Sequence, residues 1–213
     1  MSERFTLAAA LAKIVAGRAL VVVDADEVVL RFVDGFDRFL RERTLFLDLT
    51  SYRLHGNVRR LDDRSALLDV EVTALLDEFR AELDWLEPVE AAQEVLGRLA
   101  ERAGIVVLSN ITPPQAQARA RNLTRLGLEF PLVANSGPKG PALRQLANRA
   151  QAPTFFLDDI PQHLESCARH APEVIRIHLV GDERLKGLLP PCAQAHHNAA
   201  DWRAAGAFIE SHL

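Results

Sequence analysis

Four stretches of this sequence place reactive residue types where short apolar runs end. Val21 to Val23 run straight into Asp24, and Asp26 follows two positions later. At a strand end, residues i and i+2 project to the same side, so the two carboxylates converge. Burying unpaired carboxylates costs on the order of several kcal/mol per ion, and a hard cation would compensate that cost. Phe155 to Leu157 repeat the pattern and end in Asp158 and Asp159. Ile105 to Leu108 end instead in Ser109 and Asn110, a hydroxyl and an amide, and Lys139 sits in the loop from Gly137 to Pro141. A lysine just before a helix start joins its own charge to a site where free N–H groups favour anions. Each signal has a plainer reading when taken alone: a solvated strand end, an N-cap by Asp159, a turn, a solvated lysine. Four carboxylates on one edge would repel each other without a cation.

The elements that must position these groups read as alternating strands and helices. Ala19–Val23, Ile105–Leu108 and Phe155–Leu157 are nearly continuous apolar runs, as strands buried on both faces should be. Val174–Val180 is interrupted by Arg176 and His178, which suggests an edge strand, and Pro131–Ala134 fits a further short one. Between them lie helix signals. Thr112 to Gln115 form a capping box ahead of Ala116, Ala120 and Leu123, with a stop near Gly127. Pro141 opens a helix with Leu143, Leu146, Ala147 and Ala150 inward, and Pro161 opens another with Leu164, Cys167 and Ala168. Pro88 is expected to start a helix through Val95, Leu96 and Leu99. The alternation predicts an α/β fold, a Rossmann-like doubly wound parallel sheet whose strand C-termini share one edge.

One stretch breaks the rhythm. From about Arg31 to Leu86 no buried strand is evident; Phe32, Phe36, Phe39 and Leu40 have helical spacing, as do Leu68, Val72, Leu75, Leu76 and Phe79. This predicts a mostly helical insertion over the sheet edge, dividing the chain into a core of residues 1–30 and 87–213 and a cap of residues 31–86. The polar segment from Ser51 to Arg60 offers Arg53 and Arg59 as candidate contacts for a substrate carboxylate or second phosphate; a solvated loop is the alternative.

The chain order acid pair, serine, lysine, acid pair resembles the four motifs of the haloacid dehalogenase superfamily, here VVVDADEVV, VVLSN, PKG and FFLDD. The resemblance spans about residues 19 to 180, and the insertion falls where that superfamily carries its C1 cap. It implies a Mg²⁺-dependent phosphatase acting on a small phosphorylated metabolite. Asp24 would be the nucleophile and Asp26 the general acid and base. Asp24, the backbone carbonyl of Asp26 and Asp158 would hold Mg²⁺, with Asp159 supporting that shell. Ser109 and Lys139 would bind the phosphoryl group, with Asn110 on the substrate side. Asp26 argues for phosphoryl chemistry over dehalogenation, because an alkoxide leaving group needs a proton. Glu27 departs from the glycine frequent at its position. A 5'-nucleotidase-like enzyme and a phosphomutase are the alternatives within the superfamily. A non-catalytic phosphate-binding or regulatory protein is the alternative outside enzymes, and it would have no need of Asp26.

The rest of the composition narrows partners and setting. The 213 residues carry a formal net charge of -4, with no global pull toward nucleic acid polymers or anionic membranes. The apolar run from Leu7 to Val23 is broken by Lys13 and Arg18, which argues against a signal peptide or a membrane span. Two cysteines without CxxC spacing suit a reduced, cytoplasmic protein. Neighbouring His196 and His197 lack an acid or cysteine partner and read as surface or loop residues.

Overall fold

A computed structural model gives the fold and describes residues 3–213. In chain order its first elements are α1 (Leu7–Leu11), β1 (Leu20–Val23), α2 (Phe32–Arg41), β2 (Leu45–Leu47), β3 (Val58–Arg60), α3 (Asp69–Ala81) and α4 (Ala92–Arg102). There follow β4 (Gly104–Asn110), α5 (Pro113–Arg125), β5 (Leu132–Asn135), α6 (Gly140–Ala150), β6 (Thr154–Asp158) and α7 (Pro161–His170). The chain closes with β7 (Ile175–Leu179), α8 (Glu183–Lys186), β8 (His197–Ala199) and α9 (Trp202–Glu210).

Six strands form one parallel sheet in the order β5-β4-β1-β6-β7-β8. Because side chains alternate across a strand, each central strand feeds two cores. Val21, Val23, Ile105, Val107, Phe155 and Leu157 face one core, closed by Leu96 and Leu99 of α4 and Trp202 of α9. Leu20, Val22, Val106, Leu108 and Phe156 face the other, closed by Leu143 and Leu146 of α6 and Leu164 of α7. The continuous apolar runs are therefore what a doubly covered sheet requires. Among the described residues no helix is long and apolar enough to cross a membrane.

Three expectations are corrected. β7 is not an edge strand, because β8 pairs beyond it through Ile177, His178 and Leu179. Its polar side chains are spent on hydrogen bonds: Arg176 donates to the carbonyls of Pro172, Val174 and Gln194, and His178 Nε2 lies 2.9 Å from the Asp159 carbonyl. His197 accordingly belongs to a strand, not a loop. Pro88 does not start α4; it bridges Leu30 in extended backbone, and the helix begins only at Ala92. The mostly helical insertion also holds two short strands. β2 and β3 make an antiparallel ribbon between α2 and α3, pairing Leu45 with Arg60 and Leu47 with Val58. The chain enters and leaves this segment side by side, with Arg31 N–H donating to Glu87 O and Val89 N–H to Val29 O.

Gly140 shows how closely the core must pack to deliver its lysine. An added Cβ would lie 2.2 Å from the Ser166 carbonyl oxygen of α7, and the Gly140 N–H donates to Ser166 Oγ at 3.1 Å. The start of α6 is thus pressed onto α7, which aims the preceding Lys139 inward. Gly140→Ala is expected to cost roughly 1–3 kcal/mol through overpacking and to lower activity by displacing Lys139. Urea unfolding beside a turnover assay checks both; wild-type stability and rate in this variant would contradict the packing account.

Candidate active site

The parallel order brings the ends of β1, β4 and β6 and the start of α6 to one edge. Asp24 follows β1 directly, and its N–H donates to Leu157 O at 2.9 Å, locking it beside the end of β6. Asp24, Asp158 and Asp159 each offer a carboxylate oxygen, all within 4.8 Å of one another, and all three are buried. Lys139 Nζ lies 2.6 Å from Asp24 Oδ1 and 2.6 Å from Asp158 Oδ2. Burial alone would push the Lys139 ammonium down, but the charges of Asp158 and Asp24 outweigh it and hold the group above its ordinary range. One lysine does not balance three carboxylates. Burial pushes Asp158 up to about 7 against the pull of Lys139. Burial, Asp158 and Asp24 together push Asp159 well above the usual carboxylate range. A buried all-oxygen cluster with excess negative charge has the donor set of a hard divalent cation.

Asp159 does not cap α7. The helix N-cap is Ile160, whose N–H donates to Asp158 Oδ1 at 2.9 Å, while Asp159 Oδ2 accepts from the Tyr52 hydroxyl. Tyr52, the single tyrosine of the chain, belongs to the inserted segment, so that segment touches the acid cluster directly.

Asp26 stands apart from the cluster. Its Oδ1 lies 2.5 Å from Nη2 of Arg119, a fully buried guanidinium on α5. Burial raises the Asp26 carboxyl from its ordinary range, Arg119 pulls it back, and Asp24 raises it. Arg119 escaped the sequence reading, although its position was a signal: it lies three residues after Ala116 and four before Leu123, on the apolar stripe of its helix. A cation on a core stripe needs a buried anion.

Glu27 has φ +57°, the left-handed conformation that glycine adopts at least cost, which explains why a glycine would suit this position. Its side chain does what glycine cannot. Oε1 accepts from Val33 N–H at 2.6 Å and so satisfies an open donor at the start of α2. Burial pushes its carboxyl up to about 8, the Val33 bond opposes this, and Asp182 and Asp26 raise it further. With the folded value above the unfolded one, the stabilisation is full below about pH 4.5 and is lost as pH rises through about 8. Glu27→Gln, which imitates the neutral acid, is expected to match wild type near pH 4.5. At pH 8 it should exceed wild type by roughly 1–3 kcal/mol. Denaturant unfolding at the two pH values tests this; an equal difference at both would contradict the buried neutral acid.

A cavity of about 250 Å³ opens over these groups, lined by Asp24, Asp26, Ser109, Asn110, Lys139 and Asp159 on the sheet side. Phe32, Val33, Tyr52, Leu54 and Arg80 line it from the inserted segment. The structure thus gathers Asp24, Asp26, Ser109, Asn110, Lys139, Asp158 and Asp159 at one place. Asn110 braces a loop as well: its Nδ2 donates to Gly137 O at 3.0 Å and its Oδ1 accepts from Asn135 at 2.7 Å. Arg53 and Arg59 are not brought to the cavity. Arg53 is exposed and Arg59 donates to Asp48 Oδ2 at 2.7 Å, because the polarity of this short ribbon is satisfied within it. The arginine that lines the cavity is Arg80, near the end of α3.

No protein-family model matches the chain, and no curated protein sequence matches it. Solved structures do match. A conserved haloacid dehalogenase-like protein of unknown function from Agrobacterium tumefaciens superposes with a TM-score of 0.61 at 17% identity, over 92% of this chain and 99% of the other. The chain has the haloacid dehalogenase-like fold. Within that fold it is also similar to the defluorinating L-2-haloacid dehalogenase Rha0230, with a TM-score of 0.58 at 15% identity over 91% and 95% of the two chains. CbbY from Rhodobacter sphaeroides, solved in complex with phosphate, gives 0.52 at 13% identity over 89% and 98%. The haloacid dehalogenase-like fold is thus matched along most of the chain.

Proposed function

We propose that this chain is a Mg²⁺-dependent hydrolase of small phosphomonoesters that works through a phosphoaspartate on Asp24. The observation that carries the reading is the separation of the two aspartates after β1: Asp24 lies in the buried carboxylate cluster against Lys139, while Asp26 stands on the cavity wall against Arg119. The first arrangement suits a nucleophile and the second a proton carrier.

Asp24, the backbone carbonyl of Asp26 and Asp158 would hold Mg²⁺, with Asp159 supporting the shell, and the bound ion shields phosphoryl charge so that an anion can approach an anion. Lys139 and Ser109 orient the phosphoryl group over Asp24. An Asp24 oxygen forms a bond to phosphorus as the bond to the leaving oxygen breaks, and Asp26 gives its proton to that oxygen. Water then attacks phosphorus, Asp26 takes its proton back, and inorganic phosphate leaves Asp24 as a carboxylate. Residues 31–86 serve as the cap on a core of residues 1–30 and 87–213, lining the cavity with Phe32, Tyr52 and Leu54. A nucleotidase-like specificity finds little support in so small a cavity, which lies below the roughly 300–1,000 Å³ usual for small-molecule sites.

The test is turnover of p-nitrophenyl phosphate in ¹⁸O-labelled water, beside 2-chloropropanoate as a carbon substrate. Water attack at phosphorus puts the label in phosphate and leaves Asp24 unlabelled. Halide release with label in Asp24 would move the chemistry to carbon and overturn the proposal. Activity is expected to vanish in EDTA and return with Mg²⁺.

A further inference from the structure

The same cavity holds a cation that phosphoryl transfer to Asp24 does not use. Arg80 lines it from the last turn of α3, and it makes no ion pair or hydrogen bond with any described residue. Its guanidinium carbon lies 5.8 Å from the centre of the Phe32 ring, and Phe32 lines the same cavity. Most arginines around it are engaged: Arg43 on Glu78, Arg59 on Asp48, Arg60 on Glu71, Arg119 on Asp26 and Arg121 on Asp84. A half-buried guanidinium held without a carboxylate beside a negative cluster is a site prepared for an incoming anion.

Position decides which part of a substrate that anion belongs to. Lys139 lies at the Asp24 end of the cavity, where the phosphoryl group would sit. Arg80 enters the cavity from the inserted segment instead, beside the Phe32 ring, and it lines the same space as Asp26, the group that would protonate the leaving oxygen. Much of the rest of the lining is apolar, made by Phe32, Val33, Leu54 and Leu185. Tyr52 presents its ring there, since its hydroxyl is donated to Asp159. Asn110 on the opposite wall has its amide engaged with Gly137 and Asn135. With Ser109 turned to the phosphoryl group, His163 is the uncharged polar side chain left in this lining to receive the hydroxyls of a sugar, and a cavity of about 250 Å³ suits a short leaving alcohol.

We infer that the leaving group is a short, apolar alcohol bearing its own anionic group, a carboxylate or second phosphate, which Arg80 receives. This rests on the phosphatase reading, and it names the class of substrate for the same site.

The experiment compares kcat/KM for 3-phosphonooxypropanoate, propyl phosphate and glucose 6-phosphate in wild type, Arg80→Gln and Arg80→Lys, each checked for folding by its thermal transition. Wild type is expected to favour the acid over propyl phosphate by about one to two powers of ten, the scale of a charge-assisted contact. Arg80→Gln should collapse that ratio, mostly through KM, and Arg80→Lys should restore part of it. A second arm measures binding of 3-phosphonooxypropanoate to Asp24→Asn with and without Arg80→Gln, by calorimetry, and so needs no turnover. Hydrolysis with a ratio indifferent to Arg80, or with the hexose phosphate preferred, overturns the inference and leaves the phosphatase reading standing. Absence of hydrolysis with Arg80-dependent binding fails the phosphatase reading and supports the anion subsite. Absence of both fails both.

Discussion

Asp24→Asn is expected to abolish turnover of p-nitrophenyl phosphate, lowering kcat by roughly four or more powers of ten, the scale seen when a nucleophile is removed. The fold should survive. The amide has the shape of the carboxylate, its Oδ1 can still accept from Lys139, and one negative charge leaves a buried cluster that carries too many. Equilibrium unfolding in metal-free buffer should therefore show stability equal to or above wild type. A folded, undeamidated variant that keeps substantial activity would contradict the assignment of Asp24.

Lys139→Met should hurt in the opposite way, in stability as well as rate. Lys139 is 1% exposed and is the cation that bridges Asp24 and Asp158. Removing one partner of a buried pair leaves charge without compensation and costs about 3–5 kcal/mol. The loss should be smaller in millimolar Mg²⁺, because a cation bound to the folded state offsets the missing ammonium. Rate should fall by about two to three powers of ten even where the variant is folded, from loss of charge stabilisation at the phosphoryl group. Denaturant curves with and without Mg²⁺, beside kcat, check this; equal stability in metal-free buffer would show that the lysine does not hold the cluster together.

The parts of this site written into strand ends were legible because two independent patterns coincide there. A strand buried on both faces must be apolar, so acids or a serine at its end stand out, as at Asp24, Ser109 and Asp158. The parts contributed by helices and by the inserted segment were harder to see. Arg119 and Arg80 are single cations in amphipathic sequences, and charges there are usually solvated. Only the fold shows that α5 turns position 119 toward Asp26 and that α3 ends over the cavity. Arg53 and Arg59 drew attention as a polar cluster, yet that cluster is self-contained: Asn57 Nδ2 donates to the carbonyls of Ser51 and Arg53, and Arg59 pairs with Asp48. β8 was missed because three residues, His197 to Ala199, carry no strand pattern. It is a strand because β7 offers it an edge, a tertiary cause that local propensity does not record.

The central claim is that phosphate passes through Asp24. It can be tested by quenching steady turnover of p-nitrophenyl phosphate with acid, reducing the protein with borohydride and sequencing the peptide by mass. An acyl phosphate is reduced to the alcohol, so residue 24 should be recovered as homoserine, only when substrate and Mg²⁺ are both present. Asp26→Ala should raise the yield if breakdown of the intermediate slows more than its formation. Steady turnover with residue 24 recovered wholly as aspartate, or with the reduction product at another residue, would contradict the account.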